Sequence, residues 1–384
     1  MNLRRTVAVA HKEVREIIRD RLFFSLAFIV PAVLMVLFGY GLSLDVEKLP
    51  LAIIDRDGTS MSREYAHRFI DSRYFDFKGY SFSERDLEQP ITDNLIRAAI
   101  VIPEHFQKDL LQGRPAHIQT FIDGTFPFRA LTAKGYAIAI NAQITADSLA
   151  SYLAQTSGMS VAEAAAVLQP VKLEVRYLFN QSLKSIWSLA PKLIMVILMI
   201  SPPFLTALGV VREKETGSIY NIYASTLSRG EYLVGKSVPY IVISTLNVLF
   251  LWWMATGLFG APFKGSFVFF LLSSVLYVTC TTGIGVVVSV LVRTQVAAMI
   301  GTAIFTMVPA VLYSGVLIPI SSLSRSAKLV AYLLPGMYYT NIVMGTFLKG
   351  VGFSALWRDV LVLLIYAMLL FSIGYAFFRK RPNS

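Results

Sequence analysis

The sequence predicts a polytopic α-helical membrane protein. It has six transmembrane helices, N- and C-termini in the cytoplasm, an α/β extracytoplasmic domain and a re-entrant helical segment between spans five and six. Three observations predict this. Hydrophobic residues make up 55% of the chain, only 15% of residues are charged, and mean hydropathy is +0.59, whereas soluble domains carry roughly 25% charged residues. Six charge-free apolar runs, Leu22–Leu44, Leu193–Val211, Ser237–Phe263, Gly265–Val292, Gln295–Ser324 and Val360–Phe378, reach the length of about 20 residues that a bilayer-spanning helix needs. Charge is segregated as well. Residues 45–187 hold 15 basic and 17 acidic residues, which leaves 20 basic and 7 acidic residues beside the apolar runs. The overall charge of +11 therefore reads as a set of topology signals, and no nucleic-acid partner is expected.

Taken in order, residues 1–21 form a cytoplasmic amphipathic helix. Val7, Val14, Ile17 and Ile18 are expected to share one face, with Arg4, Arg5, Lys12, Arg15, Arg19 and Arg21 kept wet. Such a helix lies at the surface of the lipid bilayer. It is too basic and too long to be the start of a cleavable signal peptide. Span one is 22–44, and the basic cluster before it puts the N-terminus inside.

Residues 45–187 read as a separate α/β domain. Strand-like runs fall at Leu51–Ile54, Tyr74–Phe77, Ala98–Ile102, Ile118–Ile122 and Val171–Tyr177, and helices at Ser60–Ile70, Glu84–Ile96, Pro103–Leu111 and Phe128–Gln155. Alternation of this kind suits a layered α/β or α+β fold. Pro103 is expected at the first helical position after a strand. Asp55-Arg56-Asp57-Gly58 is a turn, and it lacks the other ligands of a calcium loop. His67, His105 and His117 have no metal-ligand spacing, so no metal is expected. The single cysteine, Cys280, lies in an apolar run and makes no disulfide within the chain.

Span two, 188–211, contains Pro202-Pro203, a hinge or a fixed kink. The charged segment 212–236 returns the chain to the inside. Spans three (237–261) and four (266–292) follow, expected to form a tight hairpin that turns near Lys264. Span five is 296–319, and its helix should break near Gly315 and Pro319. Residues 320–355 hold apolar stretches too short to span, which read as re-entrant or interfacial helices. Span six is 356–378. The basic tail 379–384 puts the C-terminus inside.

Gly230–Ser237 satisfies the phosphate-binding pattern G-x-x-x-x-G-K-[ST]. A working loop of that kind follows a buried strand, opens a soluble helix and needs an acidic magnesium partner. Here an apolar run takes the helix's place, so the match reads as chance and the chain is not expected to be an ATPase. No hydrolase motif is found. Ionisable residues, the usual marks of ion pathways, are nearly absent from the apolar runs. Energy for any transport must then come from a partner acting on an exposed loop.

The run Leu208–Ser218, with Arg212-Glu213-Lys214-Glu215-Thr216-Gly217 at its centre, is followed by Ser228–Lys236 with Glu231 and Gly235-Lys236. Together they resemble the permease subunits of ABC type-2 exporters. Lys12-Glu13, Arg19-Asp20-Arg21, Phe179-Asn180, Ser314-Gly315 with Pro319, and Pro335 with Lys349-Gly350 extend the resemblance over essentially the whole chain. It implies a permease subunit that couples ATP hydrolysis by a separate cytoplasmic ABC ATPase to efflux across the bacterial inner (plasma) membrane. This chain would have no cofactor, with ATP and Mg held by the partner. The resemblance implies ATPase-coupling residues Arg212, Glu213, Lys214, Glu215, Gly217 and Glu231. It also implies a connecting helix carrying Lys12, Glu13, Arg19 and Asp20, and an outer gate with Gly315, Pro319 and Pro335. A second permease, identical or different, would complete the path, and the outer domain leaves room for a periplasmic adaptor. Two departures stand out: Ser225-Thr226 replaces the family's frequent Thr-Pro, and Tyr220 a frequent acidic residue. The competing reading is a membrane-anchored receptor or adaptor with a sensing domain outside, which leaves the charged segment unexplained. A membrane enzyme would need catalytic residues that are not found.

Overall fold

The computed structural model describes residues 2–42, 46, 48–168, 175–316 and 318–378, with the side chains of 221–223 excepted. The chain divides into two compact units, Met1–Leu44 with Arg176–Ser384, and Asp45–Val175. Residues 176–187, expected in the outer domain, thus belong with the helical unit.

The helical unit begins with α1 (Leu3–Arg19), which Asn2 caps by accepting the Arg4 N–H at 3.1 Å. Among the described residues six helices are long and apolar enough to cross a membrane: α2 (Arg21–Gly41), α8 (Ser185–Glu215), α10 (Arg229–Leu258), α11 (Phe267–Leu291), α12 (Gln295–Leu312) and α15 (Phe353–Phe377). The most buried is α8, which packs against α2, α10, α11 and α12. Helix α2 contains a π-turn over Ser25–Ile29. Such a turn frees backbone carbonyls, which must find partners in an apolar setting. Ser201 donates to the Leu26 carbonyl at 2.9 Å, and Asn247 to that of Ala27. Pro202 and Pro203 lie within α8, and Thr206 donates to the Pro202 carbonyl at 2.8 Å. A Cβ at Gly285 would strike the Pro203 backbone, so this glycine lets α11 cross α8 closely.

Several boundaries differ from expectation. Helix α10 begins at Arg229, well before the apolar run starts. Ser228 and Glu231 form a reciprocal capping box, and the capped helix carries the polar residues 229–236 with it. The G-x-x-x-x-G-K-S stretch is therefore helical rather than a phosphate cradle. Spans three and four do not form a tight hairpin. Residues 259–266 connect them, turned by Gly260 at φ +62°. The N–H groups of Lys264 and Gly265 donate to the Thr346 carbonyl at 3.3 and 2.8 Å, which diverts the chain. Helix α12 ends at Leu312, before Gly315 at φ +80°. Beyond it lie α13 (Arg325–Tyr332) and α14 (Pro335–Met344). Helix α14 is largely buried, and its Tyr339 stacks on Tyr277 with centroids 4.0 Å apart.

In the inserted unit a four-stranded sheet has the order β2-β1-β3-β4, with β1 (Leu49–Asp55), β2 (Phe75–Tyr80), β3 (Ala98–Ile102) and β4 (Gln119–Ile122). Strand β1 is parallel to β2 and β3, and β4 is antiparallel to β3. The central strands are apolar up to Asp55 at the end of β1, because both faces are covered. Leu51, Ile53, Ile100 and Ile102 face α3 (Ser60–Ile70), α5 (Phe106–Leu111) and the first half of α6 (Pro127–Ser157). Ile54, Ala99 and Val101 meet Leu87 of α4 (Arg85–Thr92) on the other face. Helix α7 (Val161–Leu168) packs back along α6. The Asp55 turn takes its expected form: Asp55 accepts the N–H groups of Asp57 and Gly58 at 3.1 and 3.0 Å. Pro103 is not the first helical residue. Asp57 accepts the Gln107 N–H at 3.1 Å and caps α5 from another segment, so that helix starts at Phe106. The strand-like run Val171–Tyr177 and the basic tail lie largely outside the described residues.

Candidate functional site

The residues expected to couple and connect meet at one end of the helical unit. Helix α1 lies along α10 on a stripe of Thr6, Val9, Glu13 and Ile17. Of the apolar face expected on this helix, only Ile17 packs inward; Val7, Val14 and Ile18 are exposed. The approach is close because Gly235 has no side chain. A Cβ there would lie 2.8 Å from the Thr6 carbonyl and from Val9.

The last turn of α8 is Arg212-Glu213-Lys214-Glu215. Consecutive residues on a helix point in different directions, about 3.6 to the turn. Each of these four reaches a different neighbour. Arg212 pairs with Asp20, at the joint between α1 and α2. Glu213 accepts from Lys12 at 2.6 Å and from the Tyr232 hydroxyl at 2.6 Å, with Lys236 at 3.2 Å. Lys214 donates to the carbonyls of Ser289 and Val292 at the end of α11, where a cation also complements the helix dipole. Glu215 accepts the Gln295 N–H at 3.0 Å and its side-chain amide at 2.9 Å, beside Thr294, the cap of α12. Gly217, at φ +76°, then turns the chain out of the helix, as residues after helix ends often must.

Beneath this turn lies a buried ion cluster. Lys236 Nζ is 2.6 Å from Glu13 and 3.2 Å from Glu213, and their side chains are 1%, 2% and 6% exposed. The Tyr240 hydroxyl donates to Glu13. Lys236 lies between the two buried glutamates, Glu13 and Glu213, and Lys12 pairs with Glu213 and, at 3.5 Å, with the exposed Glu16. Buried charges are tolerated when paired in this way. Burial pushes the Glu13 carboxyl up, and Lys236 and Tyr240 only partly offset it. Burial lowers the Lys12 ammonium, but Glu213 more than compensates and the net shift is upward. Asp20 feels some burial, yet Arg212 and the N–H of Leu22 hold its carboxyl below its usual range. Gly209 is needed here too, since a Cβ would strike the Tyr240 hydroxyl. Glu13, Glu16 and Glu213 lie close enough to be considered as metal ligands, but Lys12 and Lys236 already fill that space with positive charge.

Glu231 joins the start of α10 to the start of α1, accepting the N–H groups of Asn2 at 2.5 Å and Ser228 at 2.9 Å. Arg5 donates to the Thr226 carbonyl at 2.9 Å. Arg19 is exposed and no ion pair of it is found among the described residues. Gly315, Pro319 and Pro335 sit elsewhere. Lys192, near the start of α8, donates to the Val316 carbonyl at 3.4 Å, and Gly336 packs on Met195 and Ser314. From Lys192 to Arg212 is about 30 Å of helix at roughly 1.5 Å per residue. The two sets of residues therefore stand at opposite ends of α8.

Sequence reasoning did not assign Lys236, Tyr232 and Tyr240 to the site. Their spacing of four places them on one face of α10. A lysine between two tyrosines at the edge of an apolar run was the available signal.

Among the described residues, six helices long and apolar enough to cross a membrane define the class, a multi-pass membrane protein, with the ion cluster at the last turn of α8. The description "ABC-2 family transporter protein" matches residues 21–376, and the chain belongs to that family. It is similar to the "Probable multidrug ABC transporter permease YbhS" of Escherichia coli (strain K12), 27% identical over 383 residues, 99% of this chain and 98% of the relative. It is also similar to "Probable multidrug ABC transporter permease YbhR" of the same strain, 25% identical over 370 residues, 96% and 97% of the two chains. The "Linearmycin resistance permease protein LnrN" of Bacillus subtilis (strain 168) is 24% identical over 390 residues, 97% and 98% of the two. The chain is thus a transmembrane permease of an ABC transporter.

Proposed function

We propose that this chain is the membrane half of an exporter in the bacterial inner membrane, driven by a separate cytoplasmic ABC ATPase that docks beside the last turn of α8. Both termini and residues 212–228 face the cytoplasm, and the inserted α/β unit faces outward. A second permease, identical or different, completes the path, and a periplasmic adaptor is a further candidate partner. Gly315, Pro319 and Pro335 belong to the outer gate. The printed names of two relatives speak of multidrug transport; drug-like compounds are the substrate class we carry over.

One observation supports this above the others. Arg212, Glu213, Lys214 and Glu215 each hold a different neighbour, among them the α1–α2 joint, α10, α11 and α12. A push on this turn would move five helices together. Connected networks with two arrangements are the physical means of such coupling.

The test is cysteine crosslinking at Ser218 with the co-expressed ATPase. The native Cys280 is buried and will not interfere. Ser218→Cys is expected to link to the ATPase and to resist a membrane-impermeant thiol reagent added to intact cells. Labelling of Ser218→Cys from outside would overturn the orientation and the docking site together.

A further inference from the structure

A cavity of about 270 Å³ lies within the inserted unit, beside the first residues of β1, and no transport role accounts for it. Its lining includes Lys48, Arg97, Asp123, Phe126, Arg129 and Ala133. Arg97 pairs with Asp123, and its guanidinium lies 5.5 Å from the Phe126 ring centre. Arg129 flanks the same ring at 5.8 Å. Hydrogen bonds from Thr125, together with Arg97, hold the Asp123 carboxyl below its usual range. That carboxylate therefore stays charged and occupied with its own partners.

Lys48 and Arg129 are different. Both are exposed, and neither has an ion-pair partner among the described residues. Among the described lining residues, three cations, Lys48, Arg97 and Arg129, face one carboxylate, Asp123. Below them the wall is apolar, formed by the buried Val46, Leu49 and Ala133 with Phe126. A concave site with an apolar wall and a few convergent charges is the ordinary form of a small-ligand pocket. The volume equals that of about nine waters in the liquid, which suits one ring bearing one acidic group.

We propose that this cavity binds a small amphipathic carboxylate, its apolar body against Val46, Leu49 and Phe126 and its carboxylate between Lys48 and Arg129. Arginine and lysine at the rim favour the ionised group, through charge-assisted hydrogen bonds. The site is built from residues of the inserted unit alone. It does not depend on which side of the membrane that unit occupies, nor on the exporter reading.

The test uses the full chain in lipid nanodiscs, with empty nanodiscs as the blank. Fluorine NMR follows 4-fluorobenzoate and, separately, the neutral 4-fluorobenzamide. Benzoate is expected to bind saturably with a dissociation constant of about 0.1–1 mM, within reach of so small a ligand. Lys48→Gln with Arg129→Gln should weaken it about tenfold or more. Both positions are exposed, so this variant should keep its fold, checked by circular dichroism. Inorganic phosphate should compete poorly, because it has no apolar body. Equal binding of the benzamide, unchanged binding by the double variant, or competition by phosphate at the same concentration as benzoate would each overturn the proposal. So would the lack of saturable binding.

Discussion

Replacing Lys236 with methionine removes the cation at the centre of the buried cluster while keeping an unbranched apolar stem. Glu13 and Glu213 would remain, 2% and 6% exposed, with only the half-exposed Lys12 nearby. Breaking a buried pair by removing one partner costs about 3–5 kcal/mol, since the other charge stays buried and unpaired. Glu13→Gln alone leaves Lys236 with Glu213 and should cost less, about 1–3 kcal/mol. The two substitutions together remove one buried charge of each sign, and Lys12 still pairs with Glu213. The double variant should thus be more stable than the sum of the singles by about 1–3 kcal/mol, the usual range for contacting residues. The assay is unfolding in mixed micelles against SDS, followed by tryptophan fluorescence, with all four proteins in one lipid background. A Lys236→Met protein within about 0.5 kcal/mol of the parent, the range of ordinary surface changes, would refute the reasoning. Strict additivity of the two changes would refute it as well.

Other outcomes follow from the same geometry. Gly209→Val should destabilise the helical unit by about 1–3 kcal/mol through overpacking against Tyr240, whereas Gly41→Ala, where a Cβ meets open space, should change little; both are read in the same titration. Glu215→Ala removes the acceptor of the Gln295 N–H and side-chain amide while the Thr294 cap of α12 stays in place, and export in whole cells should fall more than protein level. Asp57 titrates below its usual range, because hydrogen bonds from Thr59 and the Gln107 N–H outweigh its partial burial. Its contribution is present above the unfolded value of about pH 4 and is lost as pH falls further. Asp57→Asn should flatten the loss of ellipticity between about pH 5 and pH 2.5, and an unchanged acid profile would count against it.

Much of the inserted unit was legible because its signals are local. Ala98–Ile102 is a short apolar run, and it forms β3 with those same ends. Ser60–Ile70 follows a threonine whose hydroxyl accepts the Ser62 N–H at 3.2 Å, the local mark of a helix start. The six apolar helices were legible for a different reason, since length and hydropathy alone reveal them. What escaped was decided by distant partners. The packed face of α1 is chosen by Lys236 and Tyr240, more than 200 positions away, which is why a buried Glu13 outranked the exposed Val7 and Val14. The start of α10 was read from where charge stops, but the Ser228–Glu231 capping box sets it earlier. The connection 259–266 was read as a minimal hairpin, because its link to the Thr346 carbonyl has no signature in the nearby residues. Motif resemblance picked out Arg212, Glu213, Lys214 and Glu215, yet no motif could say that each holds a different partner.

The account stands on force entering at the end of α8 and spreading through its ties. The most direct measurement is the number of substrate molecules moved per ATP hydrolysed, in proteoliposomes holding the permease with its ATPase. Arg212→Gln with Asp20→Asn cuts one tie at a half-exposed position and leaves the buried cluster untouched. Hydrolysis is expected to continue, while transport per ATP falls up to about fivefold, the factor for about 1 kcal/mol. An unchanged ratio, with transport and hydrolysis rising and falling together, would contradict it.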